Sequence, residues 1–386
     1  MAVMAGVTVA NLYYNQPLLN VMAHTYHQPH AVLGWATMLT QLGYALGLLL
    51  FVPMADFLEG RRLISQLLIA AFVGLVLISL APTLWWLEAA SLLTGLVSVV
   101  PQILLPMAAN LAENSSRGHV VGMIMSGLLV GVLLARTFSG VIAGAGGWRL
   151  VFEVAALLML VMLAVARWAL PTNPPQHARR PMVTVLGSLI PLIHDEPEIL
   201  RVALTGASFF AAFSAFWTTL TFRLALSPYH YSSTTIGLFG LAGVAGALVA
   251  PLAGRRADRA DPRRVVTGAL GLAVLVFLLM AFFNGSLVMV IVLVVLLDLA
   301  TNSAQISNQA RIYALKPTAR ARSNTVYMVS YFVGGALGSG LGSLAFHWHR
   351  MDAVSAVAIS FLLLGALVHR WSFAAYTRPS PGNPVE

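Results

Sequence analysis

Residues 55–62 read Ala55-Asp56-Phe57-Leu58-Glu59-Gly60-Arg61-Arg62 and form a short charged stretch between two long apolar segments. The same frame, Ala-Asp followed by four residues and Arg-Arg, returns in Ala257-Asp258-Arg259-Ala260-Asp261-Pro262-Arg263-Arg264. Each matched position lies 202 residues further along, which is close to half of the 386-residue chain. The repeat therefore predicts a protein built from two similar halves.

The composition of the chain predicts an integral membrane protein. Charged residues make up 9% of it and hydrophobic residues 59%, whereas soluble domains have about 25% charged residues. A membrane-spanning helix needs roughly 20 mainly apolar residues, and only helices or closed barrels can cross a bilayer. Unbroken apolar runs such as Leu270–Phe283 exclude the alternating pattern of a barrel strand. We therefore expect an all-α membrane protein.

Apolar stretches between polar, glycine or proline breaks predict twelve transmembrane helices in two pseudo-symmetric bundles of six. The predicted spans are residues 2–22, 32–53, 63–81, 84–109, 119–143, 150–170, 202–224, 235–253, 265–283, 286–310, 323–346 and 352–370. The longest break, residues 171–201, is rich in proline and separates spans six and seven. Within it, Met182–His194 has the pattern of an amphipathic surface helix.

Basic residues are distributed unevenly over the two sides of these spans. One side holds only Arg149, Arg223 and Arg350, and the other holds most of the rest, including the Arg-Arg pairs of both charged stretches. Because positive loops stay in the cytoplasm, we expect a multi-pass protein of the cell inner (plasma) membrane with both termini cytoplasmic. The net charge of +9 lies in these loops, so it indicates topology and not a nucleic-acid partner.

The expected domain organisation has four parts. An N-terminal six-helix bundle covers residues 1–170, and a C-terminal six-helix bundle covers residues 202–371. The central cytoplasmic loop at 171–201 joins them, and residues 372–386 form a cytoplasmic tail. We expect the protein to act as a monomer.

Polar residues recur in spans one, four, seven and ten, which favours an interior cavity lined by these helices, because a polar group facing lipid costs several kcal/mol. The alternative is hydrogen bonding within a static bundle. Spans five and eleven instead carry rows of small residues that let helices approach closely. The rows are Gly127, Gly131, Ala135 and Ser139, and Gly334, Gly338 and Gly342. We expect them to form the seam where the halves meet, although packing alone also explains them.

Asp298 lies near the middle of span ten. An ionised carboxylate at that depth must be paired, hydrated or protonated, and this is the property that a proton-coupled carrier needs. The alternative role is a structural hydrogen bond to a neighbouring helix. Arg136 in span five is its expected partner, because a guanidinium stays charged and favours an opposite charge nearby. Glu88 is a less favoured candidate, since it sits close to the outer boundary beside two tryptophans.

The expected substrate cavity combines amide and aromatic side chains with this acid. Asp298, Asn302, Gln305 and Gln309 share one helix face by their spacing of four, three and four residues. Amides of span one and aromatic residues of span seven would face them, a combination that suits an amphipathic or cationic organic solute. Lipid contact or core packing explains the aromatic residues equally well. The candidate cavity residues are Asn11, Tyr14, Asn15, Gln102, Phe213, Trp217, Asn302, Gln305 and Gln309.

The two charged loops resemble a family signature. The twelve-helix transporters of the major facilitator superfamily carry approximately G-x-x-A-D-R-x-G-R-R between helices two and three. Gly254, Asp258, Arg259 and Arg263 are similar to it. The first copy departs from the signature, with Phe57 in place of the arginine and Glu59 in place of the glycine.

Span five resembles the motif of the drug/proton antiporter branch, G-x8-G-x3-G-P-x2-G-G. This chain has Gly122, Gly131, Ala135, Arg136, Ser139 and Gly140 at those positions, with arginine where proline is usual. In span four, Ser91 stands ahead of Gly95 where the family has an arginine. Gly147-Trp148-Arg149 with Phe152 is similar to the family's G-W-R-x-x-F.

This resemblance implies a conformational latch in the charged loops. Asp56 and Asp258 would each dock near the cytoplasmic start of a helix in the opposite half, where a helix N-terminus favours negative charge. Asn324 lies in the region expected for Asp56. The loop arginines Arg61, Arg259 and Arg263 belong to the same latch.

We therefore predict a secondary transporter that works by alternating access and exports a small organic or drug-like compound in exchange for protons. Proton-coupled uptake of a small metabolite is the alternative within that class, and a membrane receptor that does not transport is the alternative outside it. Enzyme activity, a cofactor and a metal site are not expected. The chain has no cysteine and no G-x4-G-K-[ST] motif, and the first outer loop with His24, His27 and His30 lacks a carboxylate.

Overall fold

A computed structural model describes residues 1–113, 116–172, 182–243, 261–283, 286–316 and 319–376. Within these ranges the chain is helical and contains no strand. Eight of the described helices are long and apolar enough to cross a membrane. The all-α membrane fold expected from composition is confirmed.

The helices follow one another as α1 (Ala2–Val9), α2 (Leu19–Tyr26), α3 (His30–Phe51), α4 (Gly60–Ser79), α5 (Leu84–Val97), α6 (Val100–Leu111), α7 (Arg117–Ala169), α8 (Met182–Gly187), α9 (Leu189–Asp195), α10 (Pro197–Ala225), the described helix α11 (Ser233–Gly243), α12 (Pro262–Phe283), α13 (Leu287–Leu315) and α14 (Arg320–Tyr376). Short 3₁₀ segments lie at Ala10–Leu12, Gln16–Leu18 and Pro53–Asp56.

Two of the helices are far longer than a bilayer requires, because each contains two spans. α7 has 53 residues and turns at Gly146 and Gly147, the latter with a φ of +84° that favours glycine. α14 has 57 residues and turns at His349 and Arg350. With α1 and α2 counted as one interrupted span and α5 and α6 as another, the described helices account for eleven of the twelve predicted spans and for the first part of the eighth, α11. The rest of span eight, residues 244–253, lies outside the described residues.

Proline interrupts spans one and four, two of the four spans that carry predicted cavity residues. In span one, α1 ends at Val9 and the chain continues through two 3₁₀ turns, the second of which contains Pro17. In span four, α5 ends at Val97 and α6 begins at Val100, with Pro101 in its first turn. Proline has no amide hydrogen and its ring clashes with the preceding turn, so these spans bend where a uniform apolar pattern predicts a straight helix.

The small-residue rows pack inside each half and not between the halves. Gly127 and Gly131 of α7 lie against the backbone of α1, with Gly131 facing Gly6. Gly334 and Gly338 of α14 lie in the same way against the backbone of α10. The expectation that these rows form the seam is therefore wrong. A glycine row marks a face that a helix can approach closely, but the row does not say which helix approaches it.

Other small residues, on different faces of the same helices, form the seam between the halves. Gly140 of α7 faces Gly237 of α11, and Gly34 of α3 faces Ser343 of α14. Thr137 strengthens the first contact by donating a hydrogen bond to the Gly237 carbonyl at 3.0 Å. Spans five and eleven therefore use one face to hold their own half together and another to meet the opposite half.

The central loop contains two short helices, α8 and α9, which together run from Met182 to Asp195. In α9, Leu192 is buried while Ile190 is exposed. That this segment is an amphipathic surface helix stays a prediction.

The backbone contact at Gly338 generates a stability prediction. A methyl group added at this position would meet the carbonyl of Ala211, and overpacking of this kind costs about 1–3 kcal/mol. We expect Gly338→Ala to lower the melting temperature of the purified protein. Gly271→Ala is the matched control, because a methyl group there meets nothing within 4 Å. Equal melting temperatures for the two variants would contradict the packing described for α10 and α14.

Candidate functional site

A cavity of about 730 Å³ lies between the two halves. Leu48, Gln102 and Val121 belong to its wall in the first half, and Gln309 and Asn324 to its wall in the second. Its mouth is lined by Tyr313 and Arg320, at the end of the molecule where Arg61 and Arg167 also lie. We call this the basic end.

An inner chamber of about 110 Å³ continues the cavity into the centre of the molecule. Gln102, Gln305 and Gln309 line both spaces. Asp298 and Phe213 line the inner chamber but not the outer part of the cavity. The two spaces form one path from the basic end to the middle of the bundle.

At the opposite end, contacts across the seam close the molecule. Thr234 donates a hydrogen bond to the Gly140 carbonyl at 3.1 Å, and Thr221 donates one to the Gln16 carbonyl at 2.8 Å. The rings of His30 and Phe222 lie 4.8 Å apart. The central chamber is therefore reached from the basic end and blocked at the other.

Asp298 is held in the chamber wall near the middle of α13 and is only 1% exposed. Its carboxylate packs against α11, so closely that a methyl group at Gly243 would lie 3.3 Å from Oδ1. Oδ2 is buried without a hydrogen-bond partner. An ionised carboxylate without its full set of partners is costly at this depth.

Arg136 is the deeply buried cation of the first half, with 2% of its surface exposed. Its Nε donates to Gln16 Oε1 at 2.7 Å, and its guanidinium lies 4.0 Å from the Trp217 ring and 5.2 Å from the Tyr13 ring. A desolvated cation over an indole is stabilised by about 2 kcal/mol or more. Both terminal nitrogens of Arg136 lack hydrogen-bond partners, so the rings compensate the guanidinium only in part.

Arg136 and Asp298 approach one another at α11, where Gly240 faces the Arg136 side chain and Gly243 faces the Asp298 carboxylate. No ion pair within 4.0 Å joins these two described side chains. Trp217 adjoins both, because its ring covers the guanidinium and its N–H reaches toward Asp298 without completing a hydrogen bond. The structure thus brings together the two residues that the sequence pairs, with an indole beside them.

The amide residues of span ten line the path as their spacing predicts. Asn302 donates to the Asp298 backbone carbonyl at 2.8 Å. Gln305 accepts a hydrogen bond from the Tyr331 hydroxyl at 3.4 Å, and Gln309 approaches the Met328 sulfur at 3.7 Å. The bond of Asn302 has a normal length, whereas the contacts of Gln305 and Gln309 with α14 are long.

The expected position of the span-one residues requires correction. Asn11 donates to Ser98 at 3.3 Å and Asn15 to Thr40 at 3.5 Å, both inside the first half. Tyr14 packs against Phe138, and none of the three lines the cavity or its inner chamber. The cause is the 3₁₀ turns at residues 10–18, which shift the helical phase on which the prediction depended.

Five aromatic residues of the inner chamber are missing from the predicted cavity set: Tyr13, Tyr44, Phe210, Tyr331 and Phe332. Tyr13 lines the chamber where Tyr14 was expected, because the 3₁₀ turns rotate the side chains of span one relative to a regular α-helix. Phe210 stacks on Tyr331 with 4.1 Å between ring centroids. The spacing of Phe210 and Phe213 along α10 was the available signal, since residues three apart share a helix face.

Glu88 does not lie with Asp298 and Arg136. It lines a separate pocket at the closed end, between α2, α3 and α5. The structure therefore joins two of the three proton-coupling candidates and sets the third apart.

The predicted latch is described only in part. Asp258 and Arg259 lie outside the described residues, and Asp56 is described only as the last residue of a 3₁₀ segment. Arg61 donates to the Arg167 carbonyl at the end of α7. The Arg263 amide donates to Asp261 Oδ1 at 2.9 Å, and the Arg263 carbonyl contacts the His369 ring.

The region expected to receive Asp56 lies at the mouth of the cavity. Asn324 lines this mouth and accepts a hydrogen bond from the Tyr313 hydroxyl at 3.2 Å. Docking of Asp56 at Asn324 stays a prediction.

A polar cluster at the basic end of the second half was not predicted. Arg311 of α13 forms an ion pair with Glu198 of α10 at 2.7 Å and donates to Ser372 of α14 at 2.6 Å. Glu198 also accepts a hydrogen bond from Ser372. The cluster ties three helices of one half together.

The described residues contain no group of three or more histidine, aspartate or glutamate side chains placed to hold a metal ion.

Comparison with known proteins identifies relatives along the whole chain. The sequence model of one family, described as Major Facilitator Superfamily, matches residues 1–226 and again residues 202–386. The uncharacterized transporter YgaY of Escherichia coli O157:H7 is 41% identical over 370 residues, which cover 95% of this chain and 93% of that protein. A protein named probable sugar efflux transporter, from Haemophilus influenzae (strain 86-028NP), is 23% identical over 318 residues, with coverage of 81% and 76%.

Solved structures of transporters share the fold. A bacterial homolog of the human lysosomal transporter Spinster, in an inward-facing and unoccupied conformation, superposes with a TM-score of 0.73 at 15% identity and covers 99% of this chain and 97% of its own. A mutant of the nucleoside transporter NupG gives a TM-score of 0.75 at 13% identity, with coverage of 97% and 98%. At these identities the likeness extends to the fold alone.

The charge interaction across the seam is testable by a double-mutant cycle. We expect Arg136→Gln and Asp298→Asn each to change the thermal stability of the purified protein. Because each single change leaves one buried charge without its counterpart, the double variant should be more stable than the sum of the single effects predicts. The expected interaction energy is about 0.5–3 kcal/mol. Additive effects would contradict the coupling of these two charges.

Proposed function

Because the chain belongs to the Major Facilitator Superfamily, we propose that it is a proton-coupled antiporter that exports a small organic compound by alternating access. The observation that carries the proposal is the buried pair of Arg136 and Asp298, which come from opposite halves. Asp298 lines the inner end of a one-sided cavity, and Arg136 lies behind that wall, 5.8 Å from the ring of Phe213. Transporter membership is the established part. Direction, coupling ion and substrate are the proposed part.

The proposed topology places the basic end in the cytoplasm, because arginine-rich loops stay on that side. With this orientation the cavity faces inward, and the seam near Gly140 and Gly237 closes the outer side. Residues 1–170 and 202–371 act as the two rocking bundles, joined by 171–201, and 372–386 form the tail. Transport then requires the outer seam to open and the basic end to close.

Proton coupling follows from the cost of an isolated charge in the inner chamber. Asp298 can lose its proton only while a cation or water compensates the carboxylate. In the closed seam Arg136 and Trp217 of opposite halves lie near one another. Opening the seam separates them and changes the electrostatic environment of Asp298. Protonation of this carboxylate and movement of the halves are therefore linked.

The proposed substrate is an amphipathic or cationic organic compound of small size. The chamber has aromatic walls at Tyr13, Phe210 and Phe213, one acid at Asp298, and a row of amides toward the mouth. Aromatic walls contribute contact area and the acid and amides fix orientation. One relative is named a probable sugar efflux transporter. The amides of the cavity could also form hydrogen bonds with a hydroxylated compound such as a sugar.

The role of Asp298 is tested in proteoliposomes with an imposed pH gradient. We expect Asp298→Asn to abolish substrate flux driven by the gradient, because an amide cannot release a proton, while exchange of substrate at equal pH persists. The measurement is internal pH together with substrate counterflow. Glu153→Gln is the control, since Glu153 is an exposed acid on α7 and makes no contact with the cavity. Gradient-driven transport that is unchanged in Asp298→Asn excludes this residue from coupling.

Alternating access is tested by a disulfide across the closed end. Thr234 Cβ lies 3.6 Å from the position of a Cβ at Gly144, within the range of about 3.5–4.5 Å for disulfides. The natural chain has no cysteine, so Gly144→Cys with Thr234→Cys gives a single pair. We expect oxidation to block transport and reduction to restore it.

The two single cysteine variants under the same oxidant are the controls, and they should keep their activity. Gel mobility after proteolysis between residues 144 and 234 measures how much disulfide has formed. Full transport by completely cross-linked protein would contradict opening of this seam during the cycle.

A further inference from the structure

A second pocket, of about 620 Å³, opens at the closed end of the molecule within the first half. It lies between α2, α3 and α5 and shares no lining residue with the cavity or its inner chamber. Its volume falls within the range of about 300–1,000 Å³ that is usual for small-molecule sites. We call it the outer pocket.

Three aromatic side chains form much of the wall of the outer pocket: Tyr26, Trp35 and Trp85. Two of them reach the surface, since Trp35 is 37% exposed and Trp85 is 77% exposed. The Tyr26 hydroxyl donates to the Ala81 carbonyl at 2.9 Å. This hydrogen bond fixes the tyrosine ring against the loop before α5, so part of the wall is formed in advance of any ligand.

Glu88 is the acid of the outer pocket and is 5% exposed. Its Oε1 is buried and has no hydrogen-bond partner, and Glu88 takes part in none of the ion pairs of the described residues. Arg149, at the same end, stacks on Trp148 and donates to the Ala81 carbonyl instead. A buried carboxylate with no partner is costly, which indicates that the site is completed by something outside the chain.

The charge of Glu88 and the aromatic walls determine which class of ligand suits the outer pocket. A carboxylate attracts a cation, and the faces of tryptophan and tyrosine rings attract cations that are weakly hydrated, such as substituted ammonium groups. A small metal ion would require several oxygen ligands, and among the described residues Glu88 is the only carboxylate that lines the outer pocket. An ammonium group needs one carboxylate and aromatic faces, and this pocket supplies both.

We propose that the outer pocket binds a substituted ammonium group, with Glu88 as its counter-charge and the rings of Tyr26, Trp35 and Trp85 around it. This site is distinct from the central cavity and does not depend on proton-coupled transport. The ammonium group belongs either to a free organic cation or to a lipid headgroup. The lipid source is reasonable on physical grounds, because exposed tryptophans such as Trp85 and Trp86 are typical of the membrane interface.

The probe for the test is choline, compared with its uncharged isostere 3,3-dimethylbutan-1-ol. Binding to purified full-length protein in detergent is measured by titration calorimetry and by tryptophan fluorescence. We expect choline to bind at least about tenfold more tightly than the neutral compound, and Glu88→Gln to remove that preference, as the loss of a charged partner implies. Glu153→Gln is the matched control and should bind choline as the natural protein does.

A second variant, Trp85→Ala, keeps the proposal testable if Glu88→Gln fails to fold. Trp85 is largely exposed, so Trp85→Ala should leave the fold intact while weakening choline binding through loss of one aromatic wall. Equal binding of choline and the neutral isostere, or choline binding unchanged in both Glu88→Gln and Trp85→Ala, would overturn the proposal. Neither result bears on proton coupling at Asp298, because no transport is measured.

Nanodiscs distinguish the two sources of the ammonium group. In discs of phosphatidylethanolamine, a lipid occupant should compete with choline and reduce its apparent affinity relative to discs of phosphatidylglycerol, which has no amine. Equal choline affinity in both discs supports a free organic cation as the ligand. Absence of choline binding in the phosphatidylglycerol discs overturns the proposal.

Discussion

The cost of holding charge away from water is the constraint on which the centre of this protein depends. Arg136 and Asp298 are buried in opposite halves, and neither has its full set of hydrogen bonds. Aromatic rings and one glutamine compensate the guanidinium in part. Gln16 belongs to the same half as Arg136, whereas Trp217 belongs to the opposite half, so the contribution of Trp217 depends on the seam being closed. The electrostatic energy of these buried charges therefore depends on the relative position of the halves.

The helices meet both inside each half and across the seam between the halves. Inside each half, glycine rows let α7 approach α1 and α14 approach α10 along several turns. Such contacts gain dispersion energy over their whole length and resist separation. Between the halves, hydrogen bonds of Thr221 and Thr234 hold the closed end. The halves also pack along α3 and α14, where Gly34 faces Ser343 and the rings of Tyr44 and Phe332 lie 4.3 Å apart.

The two halves are similar in packing but not in polar chemistry. The second half has a buried ion pair between Glu198 and Arg311 at its basic end. The first half has instead an unpaired acid, Glu88, at its closed end. A shared backbone architecture therefore carries different sites, because helix packing depends on small residues and apolar volume while each site depends on a few side chains.

The sequence by itself determined the membrane location, the helix count and the division into two halves, because apolar length, loop charge and an internal repeat are properties of the linear chain. It also predicted that Asp298, Gln305 and Gln309 lie along one path, since α13 is a continuous helix and its spacing translates directly into a face. Tertiary structure decided the rest. Proline and 3₁₀ turns shifted the phase of span one, so that Tyr13 and not Tyr14 or the two asparagines lines the chamber. The partner of each glycine row and the position of Glu88 also depended on which helices meet in space, and spacing along one helix contains no information about its neighbours.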